Sequence, residues 1–326
     1  MNTTAAGHHR ELPDDVARRL IGHATRAPSM HNTQPWLWRI RDDGVELYAD
    51  LSRRLPVEDP MARNLVISCG AALHHLQVAA RSFGWATMVD RLPDAEDHSL
   101  LARVRMHPSN LPSDLPDLAA IHERRTDRRR FTSWPVPDAR LQRLTAIAEE
   151  WGCHAVALTD DYSRIRMELL VETARARLAA SATAAGEQSR WIDRGHDEGI
   201  PSRLIPVGGE DDFPSRFGPG LLTAGDADLE SSDGIIVLGG TSDDAGAWLR
   251  TGEGLSALWL RATQGALSVV PLSHAVEVER TRATLRHELL GGLVIPHIVL
   301  RVGWQTIGRS ELPKSPRRPV DDVLWP

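Results

Sequence analysis

The chain has 326 residues with 41% hydrophobic and 25% charged, ordinary globular usage, and a formal net charge of −6. The acidic balance argues against a general nucleic-acid binder. Its two cysteines, Cys69 and Cys153, form no CxxC and so exclude a disulfide framework and a zinc ribbon. No apolar run approaches the ~20 residues that cross a bilayer, so the expectation is a soluble, cytoplasmic protein without a membrane or nucleic-acid partner.

The N-terminal stretch through Asp15 reads as a disordered lead. Asp14–Arg26 carries an acidic first turn and apolar positions Val16, Leu20 and Ile21, a helix pattern. Strands are expected over Trp36–Arg41 and Val45–Ala49, flanking an Asp43-Gly44 turn signal. A long alanine-rich helix, Ala62–Phe83, ends at Gly84, and strands Ala86–Arg91 and Leu100–Met106 follow. Three prolines between His107 and Pro116 mark a linker. The second half reads as helix Asp138–Trp151, strand His154–Leu158 and helix Tyr162–Thr183. A Gly/Pro/Asp-rich segment, Gly195–Ser232, comes next; a loop of that length in a compact chain is functional or disordered. Strand Ile235–Leu238, helix Ala245–Thr263, strand Leu267–Pro271, helix Val278–Leu289 and strand His297–Val302 complete the order. Ten of the sixteen aromatic residues are tryptophan. Trp36, Trp38, Trp85, Trp134 and Trp304 fit core and rim positions or a cavity lining.

The halves repeat. Gly70, Leu73, Leu76 and Ala80 match Gly252, Leu255, Leu258 and Ala262 at a constant offset, and in both copies a long helix leads into a strand. A duplicated α+β unit is the expected architecture, with residues 1–116 and 117–326 as its halves. The two long helices should bury against each other and make a monomer the working unit.

Three stretches are candidates for chemistry. The linker RAPSMHNTQPW, Arg26 to Trp36, is stiffened by two prolines and offers Ser29, His31, Asn32, Thr33 and Gln34 between them. Arg124-Arg125-Thr126-Asp127-Arg128-Arg129-Arg130 places five arginines within seven residues of an acidic chain. Guanidinium forks bind phosphate oxygens bidentately, although a solvated charge run fits as well, and nucleic-acid binding less so for want of interleaved aromatics. The tail holds Lys314, Arg317 and Arg318 among three prolines that pre-order it, and Leu324 and Trp325 beyond suggest docking rather than fraying. His74, His75 and Glu58 lack metal spacing and His287-Glu288 lacks an HExxH partner, so no metal is expected.

Together these stretches resemble the flavin-dependent nitroreductase superfamily, from about residue 12 to the end. In that family an Arg-Arg-Ser/Thr-x-Arg motif grips the FMN phosphate and an Ala-Pro-Ser-x-x-Asn-x-Gln-Pro-Trp loop lies against the flavin ring. A strand ending in Gly-Tyr/Trp and a basic Pro-Arg-Arg segment return to the phosphate. The matching pieces here are Arg124–Arg128, Ala27–Trp36, Gly303-Trp304 and Lys314–Arg318. Usually one domain carries both the Arg motif and the loop, and two copies pair. Here the first half keeps only the loop and the second only the Arg motif, as in the duplicated single-chain Acg-type branch. The resemblance therefore implies a nitroreductase-like pseudo-dimer with one composite FMN site.

On that resemblance Pro28, Ser29, Met30, His31 and Asn32 would meet the ring, with Pro28 and Ser29 at the pyrimidine edge and the Asn32 amide paired to it; His31 and Gln34 would brace the loop. Arg124, Arg125, Thr126, Arg128, Lys314, Ser315 and Arg317 would hold the phosphate, with Arg318 the outermost candidate. Ser273 and His274 would approach flavin N5, where the chemistry occurs, so no catalytic side chain is required. The implied activity is NAD(P)H-dependent reduction of a small nitro- or quinone-type acceptor. The other reading is FMN storage, sequestration or sensing, with 195–232 as a lid bearing Phe213 and Phe217.

Overall fold

The computed structural model describes residues 11–110, 115–205, 233–305 and 312–325. Helix α1 (Asp14–Ala24) starts behind Pro13 with Asp14 and Asp15 in its first turn, where acidic groups suit the helix dipole, and buries Ala17, Leu20 and Ile21. The supposed lead is already tied down before it: Leu12 is buried and its N–H donates to the Asp42 carbonyl at 2.9 Å. The rest of that lead, residues 1–10, lies outside the described residues.

Strands β1 (Trp36–Arg41) and β2 (Gly44–Ala49) form a hairpin. Gly44 pairs with Arg41 rather than sitting in the turn, and a Cβ there would lie 1.9 Å from the Val104 carbonyl oxygen, so its glycine serves close strand approach. Helix α2 (Arg63–Ser82) follows, capped by the Asp59 carboxylate, which accepts from the Asn64 and Leu65 N–H groups at 3.1 and 2.9 Å. Then come β3 (Trp85–Arg91) and β4 (Leu100–Pro108). The linker expected over His107–Pro116 shrinks from both ends, because α3 (Leu115–Glu123) begins with Pro116 in its first turn, where the missing N–H is harmless.

Next are α4 (Asp138–Glu149), β5 (His154–Leu158), α5 (Asp161–Ala179) and α6 (Ala182–Ser189). The single helix expected over Tyr162–Thr183 is two, because Ser181 caps α6 by accepting from the Ala184 N–H at 3.3 Å. The chain continues through β6 (Gly234–Gly240), α7 (Ala245–Gln264), β7 (Leu267–Pro271), α8 (His274–Glu277), α9 (Glu279–Thr284) and β8 (Ile295–Trp304). The helix expected over Val278–Leu289 is α9 running into a π turn at Leu285–Leu289. Of the expected lid, residues 195–205 are described, with a 3₁₀ turn at Ser202–Leu204; Phe213 and Phe217 lie outside the described residues.

The α+β expectation holds. Two antiparallel four-stranded sheets have the orders β1-β2-β4-β3 and β5-β6-β8-β7, the same arrangement in each half. In both, a long helix (α2 or α7) leads from the second strand to the third, and these two helices pack on each other. Their crossing needs glycine twice: a Cβ on Gly70 would lie 2.1 Å from the Leu249 oxygen, and one on Gly252 would lie 2.0 Å from the Ile67 oxygen. One apolar core runs from Leu12 to Val323 through both sheets. The tail returns to the first sheet, where Leu324 bridges Trp38 in parallel and the Trp325 N–H donates to the Trp38 carbonyl at 2.7 Å, covering the outer edge of β1.

Candidate functional site

Two adjoining cavities lie between the halves. The larger encloses about 1150 Å³ of empty space, counting its open mouth, and its walls are mainly apolar: Ile67, Val171, Leu255, Trp259, Val270 and Ile298. The smaller, about 620 Å³, is faced by Arg26, Arg124, Arg125, Arg128, Lys314 and Arg317. Pro28, Ser29, Thr126 and Arg128 belong to both linings and form the shared wall. A mainly apolar cavity beside a cationic one suits a ligand with an apolar body and an anionic end.

The linker between α1 and β1 makes the first half's share of this wall. His31, Asn32 and Gln34 have φ values of 49°, 55° and 50°, a region that costs a non-glycine residue about 1–3 kcal/mol and persists only when its surroundings fix it. The fixing bonds are visible. Ser29 Oγ accepts from the Gln34 N–H at 3.0 Å, and Ser68 Oγ accepts from the Met30 N–H at 3.4 Å. Gln34 Nε2 donates to the Asp197 carbonyl at 2.7 Å, and Gln34 Oε1 accepts from the Arg318 N–H at 2.9 Å. Pro28, Ser29, Met30 and His31 line the apolar cavity, while Asn32 lines the cationic one.

Asn32 departs from the expected ring contact. Its Nδ2 donates to the Gly199 and Pro316 carbonyls at 2.9 and 3.1 Å, and its Oδ1 accepts from Arg317 Nη1 at 3.0 Å. The amide is spent on joining the linker to the tail. The polar group that the sequence reading missed is Asn64, on the first turn of α2: it is buried, it lines the apolar cavity, and its Nδ2 has no hydrogen-bond partner among the described residues.

The second half supplies the cations. Arg124 is 6% exposed; its guanidinium carbon lies 4.7 Å from the Trp259 ring centroid and its Nη2 donates to the Arg26 carbonyl at 3.0 Å. Burial, reinforced by Arg317 and Arg125, pushes its pKa well below the ordinary arginine value. Arg317 donates to Asn32 and to the carbonyls of Pro316, Arg26 and Ala27, and burial with Arg26 and Arg125 nearby brings it down to about 10. Neither arginine has a carboxylate partner among the described residues. Arg129 does: it forms a buried fork with Asp127, its Nε 2.7 Å from Oδ1, so the motif splits into a structural ion pair and a cationic face.

Arg125, Thr126, Arg128, Lys314 and Ser315 line the cationic cavity, and Ser273 and His274, at the start of α8, line the apolar one. Arg318 lines neither; it holds the tail through Gln34 and the Asp322 carbonyl. Trp36, Trp38 and Trp85 are core, Trp134 is exposed, and the tryptophan of the cavity is Trp259. Arg301, paired with Asp233 at 2.7 Å and lying over the Phe131 ring, also reaches the apolar cavity. Trp259 and Arg301 lie inside α7 and β8 and Asn64 on the first turn of α2, where local sequence gives no hint of what they face. Among the described residues no group of three His, Cys, Asp or Glu side chains could hold a metal ion, and no helix is long and apolar enough to cross a membrane.

These features define an α+β protein built on two like sheets, with two adjoining cavities that share lining residues. No family model matches the chain. It is 37% identical to a Mycobacterium tuberculosis H37Rv protein named "Putative NAD(P)H nitroreductase Rv3131", over 98% of this chain and 95% of that one. It is 30% identical to "Putative NAD(P)H nitroreductase acg" of the same strain, with 95% of each chain covered. Among solved structures, the FMN- and NADPH-dependent nitroreductase NfnB from Sphigopyxis sp. strain HMH superposes with a TM-score of 0.41 at 18% identity, covering 64% of this chain and 96% of that one. The chain belongs to the nitroreductase family, in the Acg-type branch.

Proposed function

We propose that the protein binds one FMN across the two cavities and uses it as an NAD(P)H-dependent oxidoreductase toward nitro- or quinone-type acceptors, each chain being a fused pseudo-dimer that works as a monomer. The observation that carries this reading is the junction of the cavities at Pro28, Ser29, Thr126 and Arg128. The residues fit the cofactor. On the cationic side Arg124 and Arg317 have no carboxylate partner among the described residues, an arrangement that an anionic phosphate would complete. On the apolar side Asn64 Nδ2, without a hydrogen-bond partner among the described residues, would donate to a ring carbonyl, in a wall otherwise suited to a flat heterocycle.

Arg124, Arg125, Thr126, Arg128, Lys314 and Arg317 would hold the phosphate; Pro28, Ser29, Met30 and Asn64 would set the ring edge; Ser273 and His274 would face the ring from the second half. Bound FMN supplies the two-electron hydride chemistry. The chain's own part is to orient the ring, to exclude water with Trp259, Leu255 and Val270, and to leave a mouth for donor and acceptor.

One observation favours storage or sensing instead. Asp197 and Gly199, at the start of the segment expected to be a lid, are tied to the loop by Gln34 and Asn32, which donate to their carbonyls. Anaerobic addition of NADPH and NADH to the flavoprotein, followed by a quinone or nitroaromatic, separates the two. Bleaching by either nucleotide and recovery with the acceptor is the expected result. Flavin that bleaches with dithionite but with neither nucleotide would overturn turnover and leave the storage reading.

A further inference from the structure

The cationic cavity holds more positive charge than one phosphate monoester offsets. Its lining contains Arg26, Arg124, Lys314 and Arg317 and no Asp or Glu. None of these four cations has a carboxylate partner among the described residues. Arg124 and Arg317 form the inner pair: Nη2 of each donates to the Arg26 carbonyl, at 3.0 and 3.2 Å, so the two guanidinium groups stand side by side. Arg26 is half-buried and Lys314 exposed, so both heads stay within reach of solvent. The Arg26 charge is close enough to help burial lower Arg317. The positive field also extends past the cavity. His23 Nδ1 and His122 Nε2 lie 3.1 Å apart on the last turns of α1 and α3, and burial, then Arg26, Lys314 and Arg125, keep His122 below the ordinary histidine value. A phosphate monoester carries a charge of about −1.5 to −2 at neutral pH. Four cations around one such group keep a surplus of about two charges, which repel one another until a further anion enters.

We propose that the cationic cavity has a second phosphate seat, at Arg26 with Lys314, that fills while the FMN phosphate lies on Arg124 and Arg317. This deepens the function proposed above and rests on it. The group recognised is a phosphate dianion held by a guanidinium fork and an ammonium. Two sources carry that chemistry: the 2′-phosphate that distinguishes NADPH from NADH, and free inorganic phosphate. Arg26 defines the seat. It comes from the linker after α1, in the first half, whereas the arginine run and the tail supply the other cations of the lining. Lys314, on the tail, borders both anions.

The test is a binding measurement without turnover. FMN-loaded, oxidised protein is titrated calorimetrically with inorganic phosphate, NADP⁺ and NAD⁺, with chloride holding the ionic strength constant and absorbance confirming that the flavin stays bound. Arg26→Met keeps the main-chain carbonyl that Arg124 and Arg317 use. It should raise the Kd of the second anion about 3- to 10-fold and leave that of FMN nearly unchanged, whereas Lys314→Met should weaken both. NADP⁺ binding tighter than NAD⁺ by that margin, with the difference lost in Arg26→Met, assigns the seat to the dinucleotide. Saturable phosphate binding with equal NADP⁺ and NAD⁺ affinities assigns it to free phosphate. The seat is overturned if the loaded protein shows neither, if Arg26→Met leaves the second anion unmoved, or if that variant weakens FMN and the second anion equally. Should Arg26→Met fail to load flavin, the unaltered loaded protein decides: one further phosphate per chain or a preference for NADP⁺ supports the seat, and neither refutes it. A chain that takes up no FMN overturns the function proposed above and the seat with it, whereas a loaded chain without a second anion overturns the seat alone.

Discussion

Arg124→Met removes one cation from the smaller cavity and leaves an apolar stem over Trp259. The native guanidinium has a main-chain carbonyl and an aromatic face for partners, and its charge is held against burial and against Arg317 and Arg125. A phosphate dianion is the group that would compensate it. Loss of one charge-assisted hydrogen bond amounts to about 1.5–3 kcal/mol, which at roughly 1.4 kcal/mol per tenfold raises the FMN Kd by about 10- to 150-fold. Riboflavin carries the same ring without the phosphate, so its Kd should barely change. Fluorescence-quenching titrations of both ligands against the native and variant proteins measure the difference directly. The apo variant should be no less stable in urea, because the desolvated charge leaves with the side chain. An equal loss for FMN and riboflavin, or an unchanged FMN Kd, would refute the assignment of this cavity to phosphate.

Other expectations concern the scaffold. Gly252→Ala places a Cβ 2.0 Å from the Ile67 oxygen and 2.8 Å from the Gly70 Cα, so α2 and α7 must move apart. A loss of about 1–3 kcal/mol in urea denaturation is expected, and an unchanged midpoint would contradict the crossing described. Stability should also fall in mild acid. Burial, with Arg81 nearby, lowers His74 to about 3, and burial lowers His297 to about 4 although Asp243 and a bond to the Ser242 carbonyl oppose it. The unfolded chain then binds protons that the fold refuses, so stability is full above the ordinary histidine value of 6.5 and declines below it until the folded pKa is reached. Between about pH 6.5 and 5 each of these histidines contributes a loss on the order of 2 kcal/mol. Denaturation midpoints of His74→Gln and His297→Gln across this window should show a shallower slope; an undiminished slope would contradict it.

The sequence and the structure differ where distant contacts decide. The ring loop was conspicuous because five polar side chains crowd between two prolines, and the arginine run because it contradicts an acidic chain. What each polar group does was not legible. Asn32 reads as a ring ligand, yet its amide is taken by Gly199, Pro316 and Arg317, and no local pattern records partners that far along the chain. Asn64 sits in an ordinary helix and gains meaning only because α2 turns that position toward the cavity. Arg129 looked like one more cation and is neutralised by Asp127 two residues away. Element types were read well where periodicity was strong. The misses were punctuation: Pro116 opened a helix instead of a linker, and Ser181 capped a new helix inside an alanine-rich run.

The central claim is a single composite FMN site in a chain whose halves each supply part of it. The most direct measurement is the flavin content of the purified chain after incubation with FMN and removal of the unbound fraction, by absorbance together with native mass spectrometry. One FMN per chain on a monomer is the predicted result. No retained flavin, or two per chain, would contradict it.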